Sequence, residues 1–209
     1  MKSITLVKIA LWSLAIALVA GYAIVRLTAG PAEQADQTQV EPDLPEIFDM
    51  PAWSLTDHHG EAFASDDLAG KPYVAFLFLT NCPTGACPMM VGKMGAMQEV
   101  LADTPVEFVS ISIDPERDTP EVRRQYVERV VGEGPSEKWH LVTGETPEQM
   151  VELATSMKMV AVPESGEHTT QFVLVDAGGT VRGIYGNSDE SAMPRLKRDA
   201  LTLVDEMAK

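Results

Sequence analysis

The run Tyr73-Val74-Ala75-Phe76-Leu77-Phe78-Leu79 constrains this chain most, because it is apolar on both faces of any strand it forms. Such a strand belongs inside a sheet covered on both sides, whereas a strand with one wet face alternates. Val106-Glu107-Phe108-Val109-Ser110-Ile111-Ser112-Ile113 supplies a second strand with clean alternation over most of its length. Helical segments are expected from about Met89 to Ala102, from Thr119 with Pro120 at the first helical position, and from the capping box Thr146-Pro147-Glu148-Gln149. Trp139–Val142 reads as a short strand. Two hairpins are expected, one over Trp53–Phe63 around His58-His59-Gly60 and one over Gln171–Tyr185 around Ala177-Gly178-Gly179. A final helix runs to the C-terminus. Alternating helices and strands with a closing hairpin predict an α/β domain, a mixed sheet flanked by helices.

The two cysteines of the chain stand together in Thr80-Asn81-Cys82-Pro83-Thr84-Gly85-Ala86-Cys87-Pro88, directly after the 73–79 strand and ahead of a helix. A dithiol after an early central strand makes the expected fold thioredoxin-like. At a helix start, free backbone N–H groups and the helix dipole favour a thiolate, which is both nucleophile and metal ligand. A structural disulfide is the plainer reading, but it would close so small a loop that its stabilisation would be minimal. Thioredoxin-type redox motifs separate their cysteines by two residues. Here four intervene, which lets two sulfurs converge on an ion and still permits a disulfide.

The first thirty residues stand apart from the domain. Ile9–Val25 is apolar except for Ser13, long enough for a membrane-crossing helix. Lys2 and Lys8 precede it and Arg26 follows, an orientation that keeps the N-terminus in the cytoplasm and the rest outside. A cleaved signal peptide ending near Ala29 is the competing reading, and both imply export. The expected organisation is an anchor over 1–29, a flexible acidic, proline-containing linker over 30–46 and a folded domain over 47–209. Three of the 16 basic residues and none of the 31 acidic ones lie in residues 1–30, so the remainder carries a formal charge of −18. That charge argues against nucleic acid as a partner.

Ser112-Ile113-Asp114-Pro115-Glu116-Arg117-Asp118-Thr119-Pro120 falls at the C-terminal end of the second strand, the edge where open α/β sheets build their sites. A strand end and helix cap account for Asp118, Thr119 and Pro120 but not for Asp114 or Arg117. His168 stands where the chain enters the 171–176 strand, in a stretch where thioredoxins carry a proline and this chain has none between Pro163 and Asp176. A lone histidine is usually structural; beside a dithiol it completes a two-sulfur, one-nitrogen donor set suited to copper or zinc. Met90, Met94 and Met97 repeat at core-stripe spacing, which leaves Met89, nearest the loop, as the exception. His58, His59 and His140 read as structural or solvent-facing.

Gly70-Lys71, the cysteine loop, the Ser112–Pro120 segment, Trp139…Leu141-Val142-Thr143-Gly144 and His168-Thr169…Leu174-Val175-Asp176 together resemble the Sco/SenC family, in order from about Phe48 to the C-terminus. The resemblance implies a membrane-tethered thioredoxin-like domain that binds copper through Cys82, Cys87 and His168 and helps assemble the CuA centre of cytochrome c oxidase. It further implies a single-pass inner-membrane protein facing the periplasm, with the copper-bearing oxidase subunit and other copper chaperones as partners. The family loop normally has three residues between its cysteines, and Glu167 alone matches its acidic residue before the histidine. A membrane-tethered thiol–disulfide reductase using Cys82 and Cys87 as its redox pair is the alternative. A thiol peroxidase, with Arg117 as the one suggestive partner for the thiolate, is a weaker third.

Overall fold

The computed structural model describes residues 44–162, 165 and 167–208, together with Val19 and Tyr22. The expected anchor over 1–29 and the linker up to residue 43 lie outside the described residues but for those two. Among the described residues no helix is long and apolar enough to cross a membrane. The folded unit spans Leu44–Lys209.

Its centre is a six-stranded mixed sheet. In chain order the strands are β1 (Phe48–Asp49), β2 (Ser54–Thr56), β3 (Ala62–Ala64), β4 (Tyr73–Phe78), β5 (Glu107–Ser112), β6 (Trp139–Val142), β7 (Ala161–Val162), β8 (Glu167–His168), β9 (Gln171–Val175) and β10 (Thr180–Gly186). The helices are α1 (Ala86–Val100), α2 (Pro120–Val131), α3 (Pro147–Ser156) and α4 (Ala192–Met207). The main sheet runs β1-β10-β9-β4-β5-β6, with β4, β5 and β6 parallel and β1, β10, β9 and β4 joined antiparallel. This is the thioredoxin-like mixed α/β arrangement. The crossovers β4-α1-β5 and β5-α2-β6 step in the same direction, so right-handed connections place α1 and α2 on one face, where they touch.

All six residues of β4 are buried, as an interior strand requires. The alternation in β5 marks something other than a wet face, because Glu107, Ser110 and Ser112 are buried too. Each has a partner: Glu107 pairs with Lys71, the Ser110 hydroxyl accepts from the Trp139 indole N–H at 2.9 Å, and Ser112 donates to Asp118. Buried polar groups survive in a core only when paired in this way.

The hairpins and caps fall where the sequence places them. Thr119 and Thr146 accept from the N–H groups of Val122 and Gln149, and Pro follows each. Gln149 reaches back to the N–H of Glu145 rather than to that of Thr146. Leu44 and Pro45, near the end of the expected linker, are docked, because the buried Arg182 guanidinium donates to their carbonyls. Helix α1 starts at Ala86, three residues earlier than expected, which brings Cys87 into its first turn.

Arg123, on α2, carries no signal of its importance in the sequence. Fully buried, it donates to four carbonyls, those of Leu141, Asp118, Thr56 and Asp57. It thereby ties the β2–β3 hairpin and β6 to the turn after β5. Burial lowers its pKa to about 10, so it remains charged at neutral pH. An Arg123→Met variant leaves these acceptors unpaired and should lose at least about 3 kcal/mol of unfolding free energy in urea titration. Loss of under ~1 kcal/mol would mean the carbonyls find other donors.

Candidate metal centre

The three sequence-selected site residues converge. Cys82 Sγ, Cys87 Sγ and a ring nitrogen of His168 all lie within 4.8 Å of one another. Both cysteines are free thiols. Cys82 is partly exposed in the loop after β4, Cys87 is fully buried, and His168 is half-buried on β8.

The loop owes its shape to one residue. Gly85 sits at φ 72°, ψ 4° as the N-cap of α1, in the left-handed region that disfavours any Cβ. It turns the chain sharply into the helix, and the four-residue spacing is accommodated there with both sulfurs still facing each other. Thr84 Oγ1 accepts from the Ala86 N–H at 3.4 Å and lies 3.3 Å from Cys82 Sγ, to which its hydroxyl donates. The Thr84 hydroxyl and the backbone groups of Thr84 and Cys87 thus serve Cys82.

The two thiols differ accordingly. Partial burial works against ionisation of Cys82, but donors from Cys87 and Thr84, side chain and backbone, prevail and lower its pKa to about 6. Burial pushes Cys87 strongly upward, and the neighbouring Cys82 adds to that. At neutral pH Cys82 is the thiolate and Cys87 the thiol.

His168 arrives on an element the sequence does not announce. The chain leaves α3, forms the two-stranded β7–β8 ladder with Ala161 opposite His168, and only then enters β9. His168 Nδ1 is 3.0 Å from the carbonyl of Thr169. A carbonyl only accepts, so Nδ1 carries the proton and Nε2 keeps its lone pair. That lone pair faces Cys87 Sγ at 3.0 Å. Two sulfurs and an imidazole nitrogen with its proton held on the far side fit a soft ion such as Cu(I).

Asp118 supports the loop from below. It is fully buried and accepts from the N–H and hydroxyl of Thr80 and from the hydroxyl of Ser112. Burial raises its pKa, against the lowering effect of Ser112 and Thr80. Thr80 stands two residues before Cys82, so Asp118 fixes the take-off of the loop. Asp114 instead forms an ion pair with Arg117 at 3.0 Å, which occupies the guanidinium offered by the peroxidase reading. Glu167 is exposed on β8.

Met90, Met94 and Met97 are core residues and Met89 is about half exposed, its sulfur 3.7 Å from the Asn187 amide nitrogen. Asp57, His58 and His59 also bring three potential ligand atoms together. His58 Nδ1, however, accepts from the Leu141 N–H, and Arg123 donates to the Asp57 carbonyl alongside. Burial, assisted by His59, lowers the His58 pKa to about 4. The trio is a turn clamp around a neutral buried histidine. His140 pairs with Glu107 and stacks on Phe63.

Residues 45–199 match the family model described as SCO1/SenC. The chain belongs to the SCO1/SenC family. Protein sco1 of Schizosaccharomyces pombe is 34% identical over 157 residues, covering 67% of this chain and 56% of that protein. A putative copper-binding protein of Stutzerimonas stutzeri is 28% identical over 154 residues, 67% of this chain and 70% of that one. Among solved structures, a SCO1/SenC family lipoprotein from Bacillus anthracis superposes with a TM-score of 0.68 at 29% identity, covering 75% of this chain and 95% of its own. Yeast Sco1 with copper bound shares the fold at 22% identity and a TM-score of 0.60, over 79% and 95% of the two chains.

Two outcomes test this geometry. Iodoacetamide at pH 7 should alkylate Cys82 and spare Cys87, with the rate rising through pH 6 as the Cys82 proton leaves and flat above about pH 7. Preferential labelling of Cys87, read by peptide mass spectrometry, would reverse the assignment. Gly85→Ala, forced into the left-handed region, should lower stability by roughly 1 kcal/mol. No change in its denaturation midpoint would show that the turn relaxes without strain.

Proposed function

We propose that this protein is a copper metallochaperone that takes copper on Cys82, Cys87 and His168 and delivers it during assembly of the CuA centre of cytochrome c oxidase. The observation that carries the reading is the approach of two free sulfurs and one imidazole nitrogen to within 4.8 Å, with the imidazole lone pair turned inward. Its support includes the copper bound in yeast Sco1 and the name of the Stutzerimonas relative. Cu(I) is the cargo. Entry displaces the Cys87 proton to solvent, Cys82 being ionised already, and leaves two thiolate donors, Cys82 partly exposed and Cys87 buried behind it. Release is ligand exchange with the soft donors of a partner, the copper-bearing oxidase subunit or another chaperone. Residues 1–29 would hold the domain at the inner membrane and 30–46 would give it reach into the periplasm. The Bacillus anthracis lipoprotein of the family supports membrane attachment.

One feature favours a second reading, a thiol–disulfide reductase acting on an exported partner. An ionised, accessible Cys82 beside a protonated, buried Cys87 is the asymmetry of an attacking and a resolving thiol.

Anaerobic Cu(I) titration of the reduced full-length chain should show one ion bound, with His168→Ala, Cys82→Ser and Cys87→Ser each weakening affinity at least ~100-fold. Wild-type affinity in all three variants would remove the site. In cells, a His168→Ala variant with full oxidase activity, alongside inactive cysteine variants, would select the reductase.

A further inference from the structure

Cys87 and His168 reach the site from different parts of the fold, one on α1 and the other on β8, and each must hold still for the other. Apolar packing defines the placement of α1 loosely. The side chains it buries include Met90, Met94 and Met97, and methionine is unbranched and adapts to small shifts of its neighbours. A polar tether from Gln98 to Ser136 lies at the far end of the helix. Nearer the site the tether is Asn187, in the connection from β10 to α4.

Every hydrogen-bonding group of Asn187 is engaged. Its backbone carbonyl and its side-chain oxygen both accept from the Lys93 ammonium, at 2.6 and 2.8 Å. Its side-chain amide donates to Met89 Sδ at 3.7 Å. Lys93 and Met89 are four residues apart on α1, so the contacts grip one helix face over a single turn. The backbone N–H of Asn187 donates to the Thr170 carbonyl at 2.9 Å. Met89 is two residues from Cys87, and Thr170 is two from His168. One residue thus joins the two segments that carry the opposed donors, beside their direct contact at 3.0 Å. The bonds from the ammonium are charge-assisted and directional, which the methionine packing is not.

We propose that Lys93 and Asn187 are positioning residues that set the Cys87 sulfur against the His168 ring. The inference rests on the reading of the dithiol and His168 as a soft-metal site. Metal donors need to be held within about 0.5 Å of their working positions, and a slide of α1 over its methionine contacts is the displacement that packing resists least. With the bridge in place, the start of α1 and the 168–170 segment move as one piece, and the donor pair is formed before an ion arrives. Both residues act through the segments they join and neither touches the metal.

Lys93→Met and Asn187→Ala remove the bridge without opening a core cavity, because both residues are only partly buried. Asn187→Asp is the conservative variant, since it keeps both acceptors for Lys93. In the reduced full-length chain, the Cu(I) and Cd(II) dissociation constants should rise about 10-fold in Lys93→Met and Asn187→Ala and stay within ~2-fold of wild type in Asn187→Asp. In a His168→Ala background the same substitutions should change them by less than ~2-fold, because no ring is left to align. Equal losses in the two backgrounds would make the bridge a general support of the helix, and unchanged constants would remove its role outright. The metal-free protein supplies an independent readout. The nuclear Overhauser contact between the Cys87 β-protons and the His168 ring should weaken in Asn187→Ala, and an unaltered contact would overturn the proposal. Wild type that binds neither ion, with that contact still lost in Asn187→Ala, would overturn the copper function and leave the positioning role standing.

Discussion

The position of the Cys82 loop depends on one buried carboxylate. Asp118 stands at the turn after β5, yet the groups it accepts from belong to the end of β4 and of β5: Thr80 through backbone and side chain, Ser112 through its hydroxyl. β4 and β5 stay paired to their last residues, Phe78 opposite Ser112, and the loops that carry the site leave from those ends. Asp118 bridges the two chains just beyond that last pair. Its own backbone is pinned by Arg123, whose other donors hold the β2–β3 hairpin and β6. A fully buried arginine with four carbonyl acceptors is expensive to assemble and hard to distort. The loop therefore takes off from a rigid floor, and the freedom that remains lies between Asn81 and Gly85.

Within that freedom the helix start decides the electrostatics. A cysteine inside the first turn of α1 is expected to be the ionised one, since the dipole and free N–H groups are there. The reverse holds, because Cys87 points into the core, where burial outweighs the dipole, while the loop folds Cys82 back over the helix N-terminus. The four-residue spacing is compatible with this because Gly85 absorbs the turn in a left-handed conformation.

Much of this was legible in the sequence, for identifiable reasons. An all-apolar 73–79 run has only one place in an α/β domain, and Thr-Pro pairs before helices declare their caps. The cysteines and His168 were legible through chemistry and family resemblance, and the structure brings them together. The start of α1 was misjudged by three residues because Pro88 and the loop composition hide a helix whose first turn is built on a glycine cap. The β7–β8 ladder was missed: Pro163-Glu164-Ser165-Gly166 carries turn residues, but the two-residue strands on either side have no period to detect. Alternation in β5 did not announce the partners of its polar residues: Glu107, Ser110 and Ser112 are buried acceptors and donors for Lys71, Trp139 and Asp118. Nothing in the sequence sets Arg123 apart from its neighbour Arg124. Only a count of the carbonyls left open by the edges of β2 and β6 reveals the need for it.

The choice between chaperone and reductase turns on what His168 is for. A reductase needs a nucleophile and a resolving thiol, and Cys82 and Cys87 supply both without help. An imidazole 3.0 Å from the buried sulfur serves that exchange only as a base for the resolving thiol. Its Nδ1 proton is nevertheless tied to the Thr169 carbonyl, which keeps Nε2 an acceptor in the neutral ring and directs it at Cys87. That second contact is what a metal-ligating histidine needs, because it fixes the tautomer and the ring plane before the ion arrives. A short ladder held by Val160 and Thr169 exists to place this one residue. Structure devoted to aiming a lone pair at a dithiol favours an occupant that accepts electron pairs from all three atoms at once, and a disulfide does not.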